Sequence, residues 1–386
     1  MRVFLVVLDG VGVGWQPDSA TFGDEGADTL GHVIEAEGLV LPELAKLGLY
    51  NIQGTSFYNP VHCEGCFGRM AERSRGKDTT TGHWEMAGVV LDKPFPTYPD
   101  GFPKDVIEEF TRLTGRGVLG NCAASGTEII ERLGAEHVRT GKPIVYTSAD
   151  SVFQIAAHEG VIPLDELYHI CVLSRRMLTG EHAVGRVIAR PFEGEAGAFR
   201  RTENRRDFSL APPPGNLMDL LYENCVKVTA IGKIMDIFAG RSVSEWIHSH
   251  SNTEGLDAIL GCICGESEGF FFANLVDFDM KYGHRNDTKG FAQALHEVDS
   301  YVPRFREAMR DGDILIFTAD HGVDPGYPGT DHTREYVPLL VWGRRLRRGA
   351  DLGTRQGYGD LGQTIAEVFG FKAGYGVSFL SEIREG

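Results

Sequence analysis

The sequence predicts an α/β protein: a doubly wound core sheet carrying an inserted α+β cap domain. Five short runs, apolar at least approximately, end in polar residues, as strands buried on both faces do, at 3–8, 226–231, 270–276, 314–318 and 337–342. Helical patterns lie among them at 216–223, 290–309 and 360–369, giving the strand–helix alternation of a parallel sheet. Proline clusters, Pro94-Phe95-Pro96 and Pro212-Pro213-Pro214, bracket a middle stretch of different character.

The first run ends at Asp9, followed by Gly10, Gly12 and Gly14. Aspartate and glycine after a strand are ordinary turn chemistry. The glycines do not complete a dinucleotide fingerprint, because the third position falls on Trp15 or Pro17. Further on, Lys77-Asp78-Thr79-Thr80-Thr81-Gly82-His83-Trp84-Glu85 reads as a helix start capped by threonine, a place where backbone N–H groups also favour a phosphate. His83, beside Trp84, reads as a packing or supporting residue.

The middle stretch carries helices at 104–113, 127–133 and 164–177 and strands at 144–147, 152–156 and 187–189. It is expected to form a cap domain over 95–210, inserted into a core of 1–94 and 211–386, with the two crossings as hinges. A chain of 386 residues is long enough for two such cores. In the second half of the core, Asp279 and Asp320 closely follow apolar runs. Residues distant in sequence are therefore expected to meet at the carboxyl edge of the sheet.

Bulk charge excludes some classes of partner. A net charge of −16 disfavours nucleic acid and anionic membranes, so any phosphate specificity must be local. The most basic run, Arg344-Arg345-Leu346-Arg347-Arg348, reads as a solvated turn. Asp9 interrupts the N-terminal run too early for a secretory signal, and no stretch approaches the ~20 apolar residues of a membrane span. A soluble, cytoplasmic protein is expected. The seven scattered cysteines read as reduced thiols. Cys63 and Cys66 have the spacing of half a zinc site, but Cys262 and Cys264 are too close together for the other half of a usual zinc ribbon.

Six potential ligands fall into three clusters: Asp9; Asp279 with His284; and Asp320-His321 followed by His332. Carboxylate and neutral imidazole suit Mn²⁺, Mg²⁺ or Zn²⁺. Two divalent cations opposite three aspartates leave a positive remainder suited to a phosphate dianion. An isolated histidine is ordinarily bonded to backbone, but here each has an aspartate nearby in sequence or beside the same strand end.

At Asp9, 79–85, Asp279-Met280-Lys281-Tyr282-Gly283-His284 and Thr318-Ala319-Asp320-His321-Gly322, the chain resembles the alkaline phosphatase superfamily. With Gly329-Thr330-Asp331-His332-Thr333-Arg334-Glu335 and Tyr146-Thr147-Ser148-Ala149-Asp150-Ser151, the resemblance narrows to the phosphopentomutase family and runs through nearly the whole chain. It implies an alkaline-phosphatase-like core and an isomerase that interconverts ribose 1-phosphate and ribose 5-phosphate, and the deoxyribose counterparts. That activity links nucleoside salvage to the pentose phosphates. The resemblance further implies two Mn²⁺ ions, one held by Asp9, Asp320, His321 and the Thr79 oxygen, the other by Asp279, His284 and His332. Thr79 is implied as the phosphoryl carrier, primed by a sugar bisphosphate; its choice over Thr80 or Thr81 rests on family position.

Substrate contacts carry over to Ser148, Asp150, Arg186 and Arg201 in the cap and Lys233 in the core. The chemistry is consistent: a threonine hydroxyl needs metal activation to become a nucleophile, and arginine grips phosphate bidentately. Two positions depart from the family pattern, Gly10 where serine is common and Val323 where a polar residue is usual. A hydrolase of the same superfamily is the nearest rival, and a binding protein that keeps the ligands without turnover is another. The serine-dependent phosphoglycerate mutases are disfavoured by Thr79 and the 146–151 segment.

Overall fold

The structure is a computed structural model that describes residues 1–148 and 150–385, so Ala149 of the 146–151 segment lies outside the described residues. The chain forms two compact units, Met1–Pro94 with Pro212–Gly386, and Phe95–Ala211.

The first unit is built on an eight-stranded sheet in the order Glu245–Ile247, Val228–Ile231, Gly269–Leu275, Arg2–Leu8, Ile314–Thr318, Val337–Trp342, Cys66–Met70, Asp351–Arg355. Arg2–Leu8 pairs in parallel with both neighbours, Leu8 opposite Leu275 and Val7 opposite Thr318. Every residue of these three strands is buried, which requires cover on both faces. Two groups of helices provide it. Thr29–Glu37, Pro42–Leu47, Asn252–Cys264 and Thr288–Ala308 pack together, as do Thr79–Met86, Leu217–Glu223, Ile234–Ile237 and Gly359–Val368, and both groups touch the sheet. Asn216 caps Leu217–Glu223 by accepting from the N–H groups of Met218 and Asp219 at 2.9 and 3.3 Å.

One expected parallel strand runs the other way: Val337–Trp342 is antiparallel to both neighbours. Burial on both faces makes a strand uniformly apolar whatever its direction. The connection decides direction, and the segment from 319 to 336 contains no helix to carry a parallel crossover.

The second unit has a six-stranded mixed sheet with Leu119–Ala123, Ile144–Thr147, Val152–His158, Arg186–Glu193 and Arg200–Arg201 in order, and Arg206–Ser209 also paired to Arg186–Glu193. Side-chain alternation divides its core. Ile144, Tyr146, Ala156 and Phe192 pack with Ile129 and Ile130 of helix Gly126–Thr140. Val145, Phe153, Ile155 and Val187 pack with Phe110 of Lys104–Thr114 and Leu167 of Leu164–Met177. The helix expected over 127–133 therefore extends to Thr140.

Candidate metal centre

The sheet order explains how distant residues meet. Asp9 follows the central strand, and its N–H donates to Leu275 O of the neighbouring strand at 3.3 Å. Asp279 lies four residues beyond that neighbour, while Asp320 and His321 follow Ile314–Thr318 on the other side. The reversed strand starts at the same edge, so the loop leading into it delivers His332 there. The segment after Cys66–Met70 leads to helix Thr79–Met86, whose cap is Asp78 and not a threonine: Asp78 accepts from Thr81 N at 3.1 Å and Thr81 Oγ1 at 2.5 Å. Gly82 lets this helix approach the ligands, since a Cβ there would lie 2.2 Å from Asp320 O.

Thr79 Oγ1 lies 3.4 Å from Asp9 Oδ1 and 3.2 Å from His321 Nε2. His321 Nε2 is also 3.4 Å from both Asp9 Oδ1 and Asp320 Oδ2. On the other side, Asp279 Oδ1 is 3.1 Å from His332 Nε2 and 3.2 Å from His284 Nε2. Among the described residues two groups have donors within 4.8 Å of one another, Asp9–Asp320–His321 and Asp279–His321–His332, so His321 stands in both and His284 joins through Asp279.

These residues fit divalent cations. Asp320 Oδ2 is buried and accepts no hydrogen bond, although His83 Nδ1 is 3.1 Å away; that nitrogen donates to Thr79 O at 2.8 Å. Burial raises the Asp320 carboxyl, helped by the like charge of Asp9. Burial would also raise Asp9, but the His321 hydrogen bond and charge, aided by Lys233 and His83, hold it well below the usual range. His321 is driven well above its ordinary value by Asp320 and Asp9 despite burial. A divalent cation held by these residues would supply positive charge beside the two buried carboxylates and would displace the imidazole proton. Among the described residues no group of potential ligands includes a cysteine, so Cys63, Cys66, Cys262 and Cys264 do not assemble the zinc site considered from spacing.

A model of the metalloenzyme superfamily matches residues 1–373. The phosphopentomutase of Caldanaerobacter subterraneus subsp. tengcongensis is 56% identical over 384 residues, covering 99% of this chain and 98% of that protein. Those of Acetivibrio thermocellus and Carboxydothermus hydrogenoformans are 54% and 53% identical, covering 99% and 100% of both chains in each pair. The chain belongs to the phosphopentomutase family.

With the phosphopentomutase family come an isomerase activity, the alkaline-phosphatase-like α/β fold and the use of divalent metal. Among the described residues no helix is long and apolar enough to cross a membrane.

Around the candidate ligands stand supporting residues that sequence reasoning missed. Asn274 donates to Asp9 Oδ2 at 2.9 Å and lies 3.2 Å from His83 Nε2. Its signal was a lone amide inside an apolar strand. Buried Arg334 donates to Glu72 Oε2 and to Ser74 O and Gly76 O, at 2.7, 2.8 and 3.0 Å, fixing the segment before Thr79. Glu335 accepts from Thr29 N and Gly14 N at 2.9 and 3.0 Å and from the hydroxyls of Thr29 and Thr333 at 2.7 and 2.6 Å. Burial, reinforced by Asp324, pushes its carboxyl up to about 7.

Lys233 follows strand Val228–Ile231 on a turn held by Trp246 Nε1 donating to Gly232 O at 3.0 Å. Ser148, Asp150, Arg186 and Arg201 belong to the second unit. There Arg186 lies 3.8 Å from Asp150 and 3.6 Å from Asp207, and the Arg201 guanidinium fills the space that a Cβ on Gly126 would take. Gly10 and Val323, the two departures from the family pattern, are bonded to each other: Val323 N donates to Gly10 O at 2.9 Å.

Proposed function

We propose that the protein is a cytoplasmic phosphopentomutase that interconverts ribose 1-phosphate and ribose 5-phosphate, and the deoxyribose counterparts, in nucleoside salvage. The convergence of Thr79 Oγ1 with Asp9 and His321 at 3.4 and 3.2 Å is the observation that carries this reading. Asp9, Asp320 and His321 would hold one Mn²⁺ ion and Asp279, His284 and His332 another, and the pair would supply charge and Lewis acidity for hydroxyl activation and for the phosphate oxygens.

Thr79 occupies the first turn of its helix, whose positive dipole end favours the phosphate it carries. Phospho-Thr79, primed by a sugar bisphosphate, gives its phosphoryl group to the free hydroxyl of a pentose monophosphate. The resulting 1,5-bisphosphate returns its other phosphoryl group to Thr79. Each half-reaction exchanges one O–P bond for another, so no phosphate is released. In this reading Phe95–Ala211 acts as a cap that excludes water, with Ser148, Asp150, Arg186 and Arg201 holding the sugar and its far phosphate, and Lys233 contributing from the core.

Peptide mass spectrometry after exposure to a pentose 1,5-bisphosphate tests the nucleophile. The phosphate is expected on Thr79; stoichiometric phosphate on Thr80 or Thr81 instead contradicts the assignment.

A further inference from the structure

Three stretches carry the candidate ligands: the turn at Asp9, the segment from Asp279 to His284, and the segment from Asp320 to His332. Val323 touches all three. It lies in the last, its N–H donates to Gly10 O at 2.9 Å, and its side chain is 1% exposed. A Cβ on Gly10 would lie 2.3 Å from Val323 Cγ1, and a Cβ on Gly283 would lie 2.4 and 2.7 Å from its two methyls. The turn is tied back in its own right, since Gly10 N donates to Asp320 Oδ1 at 3.0 Å.

The two glycines differ in an informative way. Gly10 has φ +83°, so its backbone already favours glycine. Gly283 has φ −57°, which any residue adopts, so the methyls of Val323 are what exclude a side chain there. Valine suits a spacer, because its branched side chain is stiff and close-packed interiors transmit small displacements.

We propose that Val323 is a positioning residue: a wedge between Gly10 and Gly283 that sets the separation of the Asp9–Asp320–His321 and Asp279–His284–His332 groups. The inference rests on the metal-binding reading above.

Mn²⁺ equilibrium dialysis of the full chain separates the two claims. If wild type binds fewer than two ions, the metal assignment fails and the spacing claim falls with it. With two ions bound, Gly283→Ala is expected to weaken one of them by about tenfold. Val323→Ala should weaken the same ion, and the double variant should bind it more tightly than Gly283→Ala alone, because the smaller wedge accommodates the new methyl. Additive losses in the double variant overturn the proposal. Unfolding of the metal-free variants shows whether Gly283→Ala folds. If it does not, Val323→Thr, which keeps the branched shape, is compared with Val323→Ala: tighter Mn²⁺ binding by the threonine variant supports the wedge, and equal binding overturns it.

Discussion

Thr79 gains its position from neighbours that do no chemistry themselves. His83 takes the Thr79 carbonyl, and Asn274 bridges His83 to Asp9. Asn274→Leu is therefore expected to lower turnover by about 10- to 100-fold through Asp9 while the protein stays folded; unchanged kcat and Mn²⁺ affinity would count against that support. His332→Ala should remove most activity with the fold intact, and near-normal turnover with full metal occupancy would refute its place among the ligands. Glu335 gives a pH signature. Its carboxyl is raised to about 7 in the folded state, above the ordinary 4.5, so its stabilising protonated form is fully present below about 4.5 and is lost as pH rises through about 7. Metal-free wild type should lose stability relative to Glu335→Gln between those values. Parallel unfolding curves for the two proteins across that range would contradict the assignment.

At the scale of elements, direction and polar anchoring were the features least legible beforehand. The candidate ligand positions Asp9, Asp279 and Asp320 stand out in the sequence because each aspartate follows an apolar run within a few residues, a visible change from apolar to acidic. The reversal of Val337–Trp342 was not, since full burial erases the alternation that distinguishes faces and says nothing of direction. Helix Asn252–Cys264 is faint in the sequence because Gly255 and Gly261 break up its short apolar pattern, yet Ser251 caps it by accepting from Glu254 N. Its other end is held by Arg2, just ahead of the first apolar run. Buried Arg2 donates to Asp313 Oδ1 at 2.8 Å, and to Ile263 O and Gly265 O at 2.8 and 3.0 Å. Arg2→Met leaves Asp313 buried without its charge partner, with only Arg310 N still donating to it at 2.7 Å, and should cost about 3–5 kcal/mol in denaturant unfolding, with metal stoichiometry unchanged. A loss below about 1 kcal/mol would show that the pair is not stabilising, as for exposed pairs.

At the scale of the whole molecule, the chain divides between a unit that gathers the candidate ligands and a unit that carries Arg186 and Arg201. If Arg186 grips the far phosphate, Arg186→Ala should chiefly raise KM for pentose phosphate. Unchanged KM and kcat would remove it from the substrate site. The measurement that bears most directly on the account is conversion of ribose 1-phosphate to ribose 5-phosphate with Mn²⁺, comparing wild type with Thr79→Ala and following free phosphate in parallel. Isomerisation without phosphate release, lost in the variant, is the predicted result. Phosphate release without isomerisation, or full turnover by Thr79→Ala, would contradict it.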